Sequence, residues 1–436
     1  MSQAPQVFIE TYGCQMNVYD TQLIESILKS NQFELTTDEN SADVVMLNTC
    51  SVRENANRKI YQRVQGLRAH QTRRPLIGVL GCMATNFRKK LLDDDRLDID
   101  FIAGPDSYKQ LPQLIQQAGK GKQVFHVTLS EFETYSDVYP TRDTGANAWI
   151  AVMRGCNNYC TFCVVPFTRG RERSRSVGNV IEEVERLVSE GITQVTLLGQ
   201  NVNSYKEGDH DFTDLMAAVS DVKGVKRIRF TSPHPKDFPT KLLTLMAQRP
   251  NICNQIHLPL QAGNDRVLEK MNRTYTKQEF LDLASHIREV IPDVVMTTDI
   301  IVGFPTESDD EFMDTMDVVQ QVQFDSAFTF KYSERQYTLA SKRFPDLIPE
   351  AIKTERIVRL VDAQRAISLS KNIAHVGEVQ KVMIERTKTK KSDDEYLARN
   401  EGNKMVIIPS GTGQVGDYLD VNIVEATSSV LKGVVV

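Results

Sequence analysis

The sequence predicts an α/β protein in three parts: an N-terminal open parallel α/β sheet, a central partial (β/α)6 barrel and a small C-terminal β-barrel. Three observations predict it. Strand-like apolar runs alternate with helical stretches in residues 1–120 and again in residues 147–372. A polar, turn-rich stretch, 121–146, connects the two series. From residue 373 onward the pattern becomes β-rich with Gly and Asn turns.

In the first series Gln6–Thr11 (QVFIET), Asp43–Leu47 (DVVML), Leu76–Leu80 (LIGVL) and Ile99–Ile102 read as strands. An amphipathic run from Val18 and a charged helical stretch from Val52 to His70 separate them, and this alternation makes the strands parallel. The connecting stretch carries GKGK and YPTRDTGAN. In the second series strands are expected at Trp149–Met153, Gln194–Leu198, Arg227–Thr231, Gln255–Leu258, Met296–Val302 and Ser326–Lys331. Six such units fall short of the eight that close the usual barrel. A long helical pattern, Glu350–Asn372, leads into VQKVMIER, KMVIIP and YLDVNIVEA, the strands of a small barrel.

At 436 residues and 41% hydrophobic content, the chain is long enough for two to three domains with a large core. No run approaches the roughly 18 apolar residues of a membrane span, and Met1–Glu10 lacks the features of a secretory signal. The protein is therefore expected in the cytoplasm, without membrane contact. In a reducing compartment its seven cysteines point to metal or redox chemistry rather than disulfides. A net charge of −5 argues against a surface coated in positive charge, so any contact with a polyanion must be local.

RGCNNYCTFC places Cys156, Cys160 and Cys163 at a Cys-x3-Cys-x2-Cys spacing just after the first barrel strand. Three thiolates in so short a loop can wrap one iron–sulfur cluster, and barrel folds keep their chemistry at this end. Structural zinc takes four ligands, and no fourth Cys or His lies nearby. Three ligands on a four-iron–four-sulfur cluster leave one iron free to bind a small molecule. The spacing resembles the signature of the radical S-adenosylmethionine superfamily, in which the free iron chelates the methionine moiety and cleavage of the sulfonium yields a 5′-deoxyadenosyl radical. Tyr159 and Phe162, between the ligands, shelter a cluster or simply pack the loop.

Other strand ends supply the rim of the barrel mouth: Gln200 and Asn201 after LLG, Ser232 and His234 in TSPH, His257 and Gln261 in HLPLQAG, and Gly303 in DIIVGFP. Gln200 and Asn201 stand where the superfamily has a segment contacting the amino group of S-adenosylmethionine. Ser232, Gln261 and Gly303 are further candidates to hold that cofactor, Gly303 by letting backbone approach the nucleoside. His234 and His257 are read as structural.

Cys14, Cys50 and Cys82 are far apart in sequence, yet each follows a strand of the first series. The carboxyl ends of neighbouring parallel strands share one edge, where such folds bind ligands, so the three can converge there. Gly13 and Gly81 precede two of them. Asn17 and Asn48 are placed to cap helices or donate to sulfur. Any one alone would read as a small buried residue. Together they suggest a second cluster with an open iron, one cluster making the radical and the other holding sulfur. Cys253 fits neither group and is read as structural.

YGCQMN, NTCSVRENA, GCMA, RGCNNYCTFC and LGQNVNSY together resemble the radical S-adenosylmethionine methylthiotransferases, most closely the branch acting on N6-isopentenyladenosine in tRNA. The resemblance runs the length of the chain. It implies an auxiliary cluster in the first domain, a radical S-adenosylmethionine barrel, and a C-terminal TRAM module that binds RNA. It also implies two four-iron–four-sulfur clusters, held by Cys14, Cys50, Cys82 and by Cys156, Cys160, Cys163. One S-adenosylmethionine would give a methyl group to sulfur and a second the radical that acts on C2 of an adenine beside the anticodon.

The expected partners are a tRNA anticodon stem-loop and a reductant such as flavodoxin or ferredoxin, with the chain acting as a monomer. Arg169, Arg171, Arg173 and Arg175, and on the small barrel Arg386, Lys388, Lys390 and Lys391, are expected to neutralise phosphates. For the C-terminal run a solvated face is the ordinary explanation, since Asp393, Asp394 and Glu395 follow. Ser51-Val52-Arg53-Glu54 after Cys50 looks like the isopentenyladenosine branch rather than relatives that modify threonylcarbamoyl-adenosine or a ribosomal-protein aspartate. A noncatalytic iron–sulfur RNA-binding protein is the reading from a different class, and it leaves the second barrel unexplained.

Overall fold

A computed structural model describes residues 4–51, 54–70, 74–94, 96–142, 145–389 and 392–436. Val52, Arg53, Lys390 and Lys391, named above for substrate choice and phosphate contact, lie outside the described residues. The first part is a six-stranded sheet of β1 (Gln6–Tyr12), β2 (Glu34–Leu35), β3 (Val44–Thr49), β4 (Leu76–Gly81), β5 (Phe101–Ala103) and β6 (Val124–His126). All pairings are parallel and the order is β2-β1-β3-β4-β5-β6.

Alternate residues feed two cores. Val7, Val44 and Met46 pack with Tyr19, Leu23 and Ile27 on one face, and Val45, Leu47 and Val79 with Ile60, Val64 and Leu67 on the other. Burial on both faces explains why β3 reads as an unbroken apolar run. The direction of progression reverses between β1 and β3, and in open α/β sheets ligands gather outside the strand ends at that point.

Strands β2 and β6 were not expected. Each is an edge piece of two or three residues, too short to carry an alternation. β6 falls in the stretch read as connecting, and the rest of that stretch is also held in place. Tyr135 is fully buried, donating from its hydroxyl to the Pro105 carbonyl and accepting from the Tyr108 amide, and the Thr141 amide donates to the Gln22 carbonyl.

The second part contains β7 (Asn147–Ala151), β10 (Gln194–Leu198) and β13 (Arg227–Phe230) in one parallel sheet, and β14 (Gln255–His257), β15 (Val295–Val302) and β16 (Ser326–Lys331) in another. A bridge from Ile228 to Ile252 joins the two. Two short antiparallel pairs are inserted: β8 (Met153–Arg154) with β9 (Arg173–Ser174), and β11 (Lys206–Glu207) with β12 (His210–Asp211). Among the described residues no ladder returns from β16 to β7, so the barrel is open, as six units require.

In β15, Met296, Thr298, Ile300 and Val302 are buried, while Thr297, Asp299 and Ile301 are half-buried on the opposite face. Register places His257 beside Thr297, Phe328 beside Asp299 and Phe330 beside Ile301 on that second face. Phe328 is 55% exposed, unusual for an aromatic on a strand of a large core.

The last part is a closed barrel of β17 (Val379–Arg386), β18 (Glu395–Asn400), β19 (Met405–Pro409), β21 (Leu431–Val435) and β20 (Tyr418–Ala426), in that spatial order. It docks at the amino ends of the central strands. Arg227 donates to the Arg399 and Lys381 carbonyls at 3.0 and 2.7 Å, and Arg229 to the Glu401 and Asn400 carbonyls at 2.6 and 2.8 Å. Lys404 reaches Asp325, just before β16, at 2.9 Å. The cysteine loop leaves the opposite end of the barrel.

Candidate active site

Cys156 follows β8 through Gly155, which adopts φ +82°; a Cβ there would lie 2.0 Å from the Arg171 carbonyl oxygen. The Gly155 amide donates to Gln200 Oε1 at 2.5 Å, so Gln200 holds the start of the loop. Glu172 accepts from the Asn157 amide at 3.0 Å and from Asn201 Nδ2 at 3.3 Å. Segment 270–273 braces the loop from the other side. The Met271 carbonyl takes the Thr161 amide, Asn272 Nδ2 donates to the Asn158 and Tyr159 carbonyls, and buried Arg273 donates from Nη1 to Cys160 Sγ at 3.4 Å.

Burial, reinforced by the neighbouring cysteines, pushes the Cys156 thiol up to about 11 and the Cys163 thiol up to about 12. Three crowded, half-buried thiols ionise together only around a cationic centre, which suits them to bind iron. Among the described residues no three His, Cys, Asp or Glu side chains are gathered tightly around a point fit for a single metal ion. A four-iron cluster asks for a wider spacing, because each thiolate binds a different iron.

The second group assembles at the reversal point of the first sheet. Cys14 stands at the start of the helix Gln15–Ser30, where its amide and thiol both donate to Asn17 Oδ1. Cys50 ends β3, and Cys82 opens the short helix Cys82–Asn86 after Gly81 at φ +86°. A hydrogen bond with Cys50, aided by the Arg169 charge, lowers the thiol of Cys14, the exposed member of the group, to about 6. Cys82 is raised by burial, which outweighs the Arg169 charge. Asn48 lies underneath, donating from Nδ2 to the Asn17 carbonyl and accepting from Asn17 Nδ2. Cys253 is buried away from both groups, between the Arg227 and Arg229 charges.

The arginine run after the loop overturns the expectation of phosphate contact. Only Arg171 is exposed. Arg169 donates to Asp20 Oδ2 at 2.6 Å and from Nε to Cys82 Sγ at 3.2 Å; Arg173 forks onto Asp106 at 2.8 and 3.1 Å; Arg175 pairs with Glu183 at 2.6 Å. All three are buried. The short β8–β9 pair turns this segment inward against the first domain, whose Asp20 and Asp106 neutralise Arg169 and Arg173, while Glu183 of the barrel neutralises Arg175. One helical turn, Val165–Thr168, with a rise of ~6 Å, links Cys163 to Arg169, the residue that touches Cys82.

The other rim residues lie as follows. Asn201 Oδ1 is buried without a protein partner. Ser232 and Gln261 adopt φ +59° and +68°, and the Gln261 amide donates to the Asp299 carbonyl. Gly303, at φ +70°, donates from its amide to Glu307 Oε2 at 2.7 Å, and a Cβ there would press on the Lys353 side chain. Gly303 therefore serves packing as well as the rim. Residues that sequence reasoning missed are Asp20, Glu172 and Arg273, together with Phe328 and Phe330, which form a wall with the strand-end residue Asp299. On that wall His257, read as structural, lies 3.2 Å from Asp299 and edge-on to Phe328.

Comparison with known proteins supplies the family. The pattern of the Radical SAM superfamily matches residues 150–319, that of the Uncharacterized protein family UPF0004 matches 6–104, and that of the TRAM domain matches 374–436. The tRNA-2-methylthio-N(6)-dimethylallyladenosine synthase of Chloroherpeton thalassium is 43% identical over 99% of this chain and 96% of its own length. The protein of the same name from Porphyromonas gingivalis (strain W83) is 42% identical over 100% of this chain and 96% of its own. The mitochondrial tRNA methylthiotransferase CDK5RAP1 of Rattus norvegicus is 40% identical over 98% of this chain and 80% of its own.

Among solved structures, the radical S-adenosylmethionine methyltransferase TsrM of Kitasatospora setae superposes with a TM-score of 0.59 at 15% identity, covering 78% of this chain and 77% of its own, a likeness of fold alone. Radical SAM membership implies a four-iron–four-sulfur cluster and S-adenosylmethionine as cofactors. With three domain patterns in order and relatives matched end to end, this chain is an enzyme of the radical S-adenosylmethionine methylthiotransferases and belongs to the family of tRNA-2-methylthio-N(6)-dimethylallyladenosine synthases.

Proposed function

We propose that this chain inserts sulfur and a methyl group at C2 of N6-isopentenyladenosine beside the anticodon of tRNA. The full-length relatives that carry this activity in their names support the substrate. The observation that carries the chemistry is the contact of Arg169, six residues after Cys163, with Cys82, since it brings one thiol group up to the other. In this reading Cys156, Cys160 and Cys163 hold one four-iron–four-sulfur cluster and Cys14, Cys50 and Cys82 a second. When bound, the first cluster with S-adenosylmethionine supplies a radical able to remove hydrogen from an unactivated carbon, and the second supplies sulfur.

The protein's own work is binding and orientation. The orphan acceptor Asn201 Oδ1 suits the amino group of S-adenosylmethionine, with Gln200 fixing the loop beside it. Ser232, Gln261 and Gly303 line the space for the rest of the cofactor. Arg273 gives a charged donor to Cys160. An unstacked adenine, as base-modifying enzymes require, would lie along the wall of Phe328, Phe330 and the His257–Asp299 pair, which excludes water around its apolar N6 substituent.

The C-terminal barrel contacts the stem with groups such as Arg386 and Lys388, both exposed. An external reductant, such as flavodoxin or ferredoxin, would supply the electron. Among the described residues no helix is long and apolar enough to cross a membrane. Anaerobic reconstitution with iron and sulfide, followed by reduction with S-adenosylmethionine and isopentenylated tRNA, should give 2-methylthio-N6-isopentenyladenosine by nucleoside mass spectrometry. Formation of 5′-deoxyadenosine with no methylthiolated nucleoside from any tRNA would contradict the reading.

A further inference from the structure

Asp20 lies on the helix that starts at Cys14, and its side chain is wholly buried. One oxygen takes Arg154 Nη2 at 2.6 Å; the other takes Arg169 Nη2 at 2.6 Å and the Tyr108 hydroxyl at 3.2 Å. Arg154 stands two residues before Cys156, and its guanidinium stacks 4.6 Å from the Tyr135 ring. Arg169 closes the same loop and touches Cys82. A single carboxylate thus ties the Cys14 helix to both ends of the barrel cysteine loop and, through Arg169, to Cys82.

The charges do not balance as they would in a simple domain seam. Two guanidiniums face one carboxylate, and Arg169 Nη1 and Arg154 Nη1 and Nε are buried without protein partners. Orphaned charged donors are costly, and a buried ion pair stabilises no better than well-packed apolar residues would. The surplus positive charge sits beside Cys82, where an iron-bound thiolate would neutralise it.

We infer that Asp20, Arg154 and Arg169 are positioning residues that hold the two cysteine groups at one fixed separation, so that each radical formed is spent on sulfur insertion. The inference rests on the reading that both groups carry clusters. Asp20→Asn removes the shared charge and sets the two guanidiniums against each other; Arg169→Lys keeps a charge but cannot reach Asp20 and Cys82 together. In the reconstituted full chain both variants should keep iron and still form 5′-deoxyadenosine. Methylthiolated nucleoside per 5′-deoxyadenosine should fall by on the order of tenfold to a hundredfold, the scale of loss from a misplacement of about 1 Å.

In the metal-free chain, amide hydrogen exchange should quicken together in residues 15–30 and 165–175 and not in the C-terminal barrel. A wild-type product ratio at full iron content in both variants would overturn the inference, leaving the network a mere fastening between domains. So would unchanged exchange in both segments. If Asp20→Asn fails to fold, Arg169→Lys decides alone. Failure of the functional reading itself would appear in the unaltered chain as absence of methylthiolated product, whereas failure of this inference appears only in the variants.

Discussion

Arg273 donates to the sulfur of Cys160 at 3.4 Å while its other nitrogens are held by the Pro259 carbonyl and the Tyr275 hydroxyl, each at 3.1 Å. A fixed cation on a cluster ligand favours the reduced, more negative state, so it raises the reduction potential. Arg273→Met should lower the potential of the barrel cluster, by roughly 60 mV if about 1.4 kcal/mol of the bond acts on the reduced state alone. A redox titration followed by electron paramagnetic resonance reads the shift. An unchanged potential would reduce Arg273 to a brace of the loop.

Arg229 and Arg227 fasten the small barrel through four carbonyls, and burial lowers the Arg229 pKa. Truncating Arg229 to Met removes its two charge-assisted hydrogen bonds across this contact, worth about 1.5–3 kcal/mol each. The C-terminal barrel should then become more sensitive to protease than the rest. Affinity for tRNA should weaken while 5′-deoxyadenosine formation without tRNA stays as it was. Equal affinity in filter binding would mean that the barrel's placement does not matter to RNA capture.

His234 sets a pH dependence of stability. Burial, with the Arg273 and Lys236 charges nearby, holds its imidazole down at about 3, and its Nδ1 accepts from the Lys236 amide. In the unfolded chain the same ring titrates near about 6.5. The unfolded state therefore binds more protons between these values: the contribution is fully present above about pH 6.5 and is lost as pH falls toward 3. Unfolding free energies from urea titrations followed by Trp149, the single tryptophan, should fall from pH 6.5 to 5 with a limiting slope of about 1.4 kcal/mol per unit. His234→Asn, whose Oδ1 can take the same amide, should flatten that part of the curve.

Much of this was legible because strand ends mark themselves. Cys14, Cys50 and Cys82 each follow a run of apolar residues, and a parallel sheet brings such ends to one edge whatever lies between them. The loop of Cys156, Cys160 and Cys163 is local, so spacing alone exposes it. Asp20 and Arg154 are 134 residues apart and Arg273 and Cys160 are 113 apart, and no periodicity links such partners. For the same reason Arg169, Arg173 and Arg175 looked like a solvent-facing cationic run. Their counter-charges, Asp20, Asp106 and Glu183, lie in other elements, and only the inward turn of β9 brings them together. Phe328 and Phe330 escaped notice because a strand in an open barrel meets water on its inner face, and alternation does not say which side that is.

The most direct test of two cysteine groups with two roles is the chain with Cys14, Cys50 and Cys82 all changed to Ala, reconstituted and assayed with isopentenylated tRNA under a strong reductant. About half of the wild-type iron should remain if each group holds a four-iron cluster. Hydrogen exchange in the barrel segments should match the unaltered chain. 5′-Deoxyadenosine should form and 2-methylthio-N6-isopentenyladenosine should be absent. Methylthiolated nucleoside from this variant, or loss of all its iron with the barrel still folded, would contradict the account.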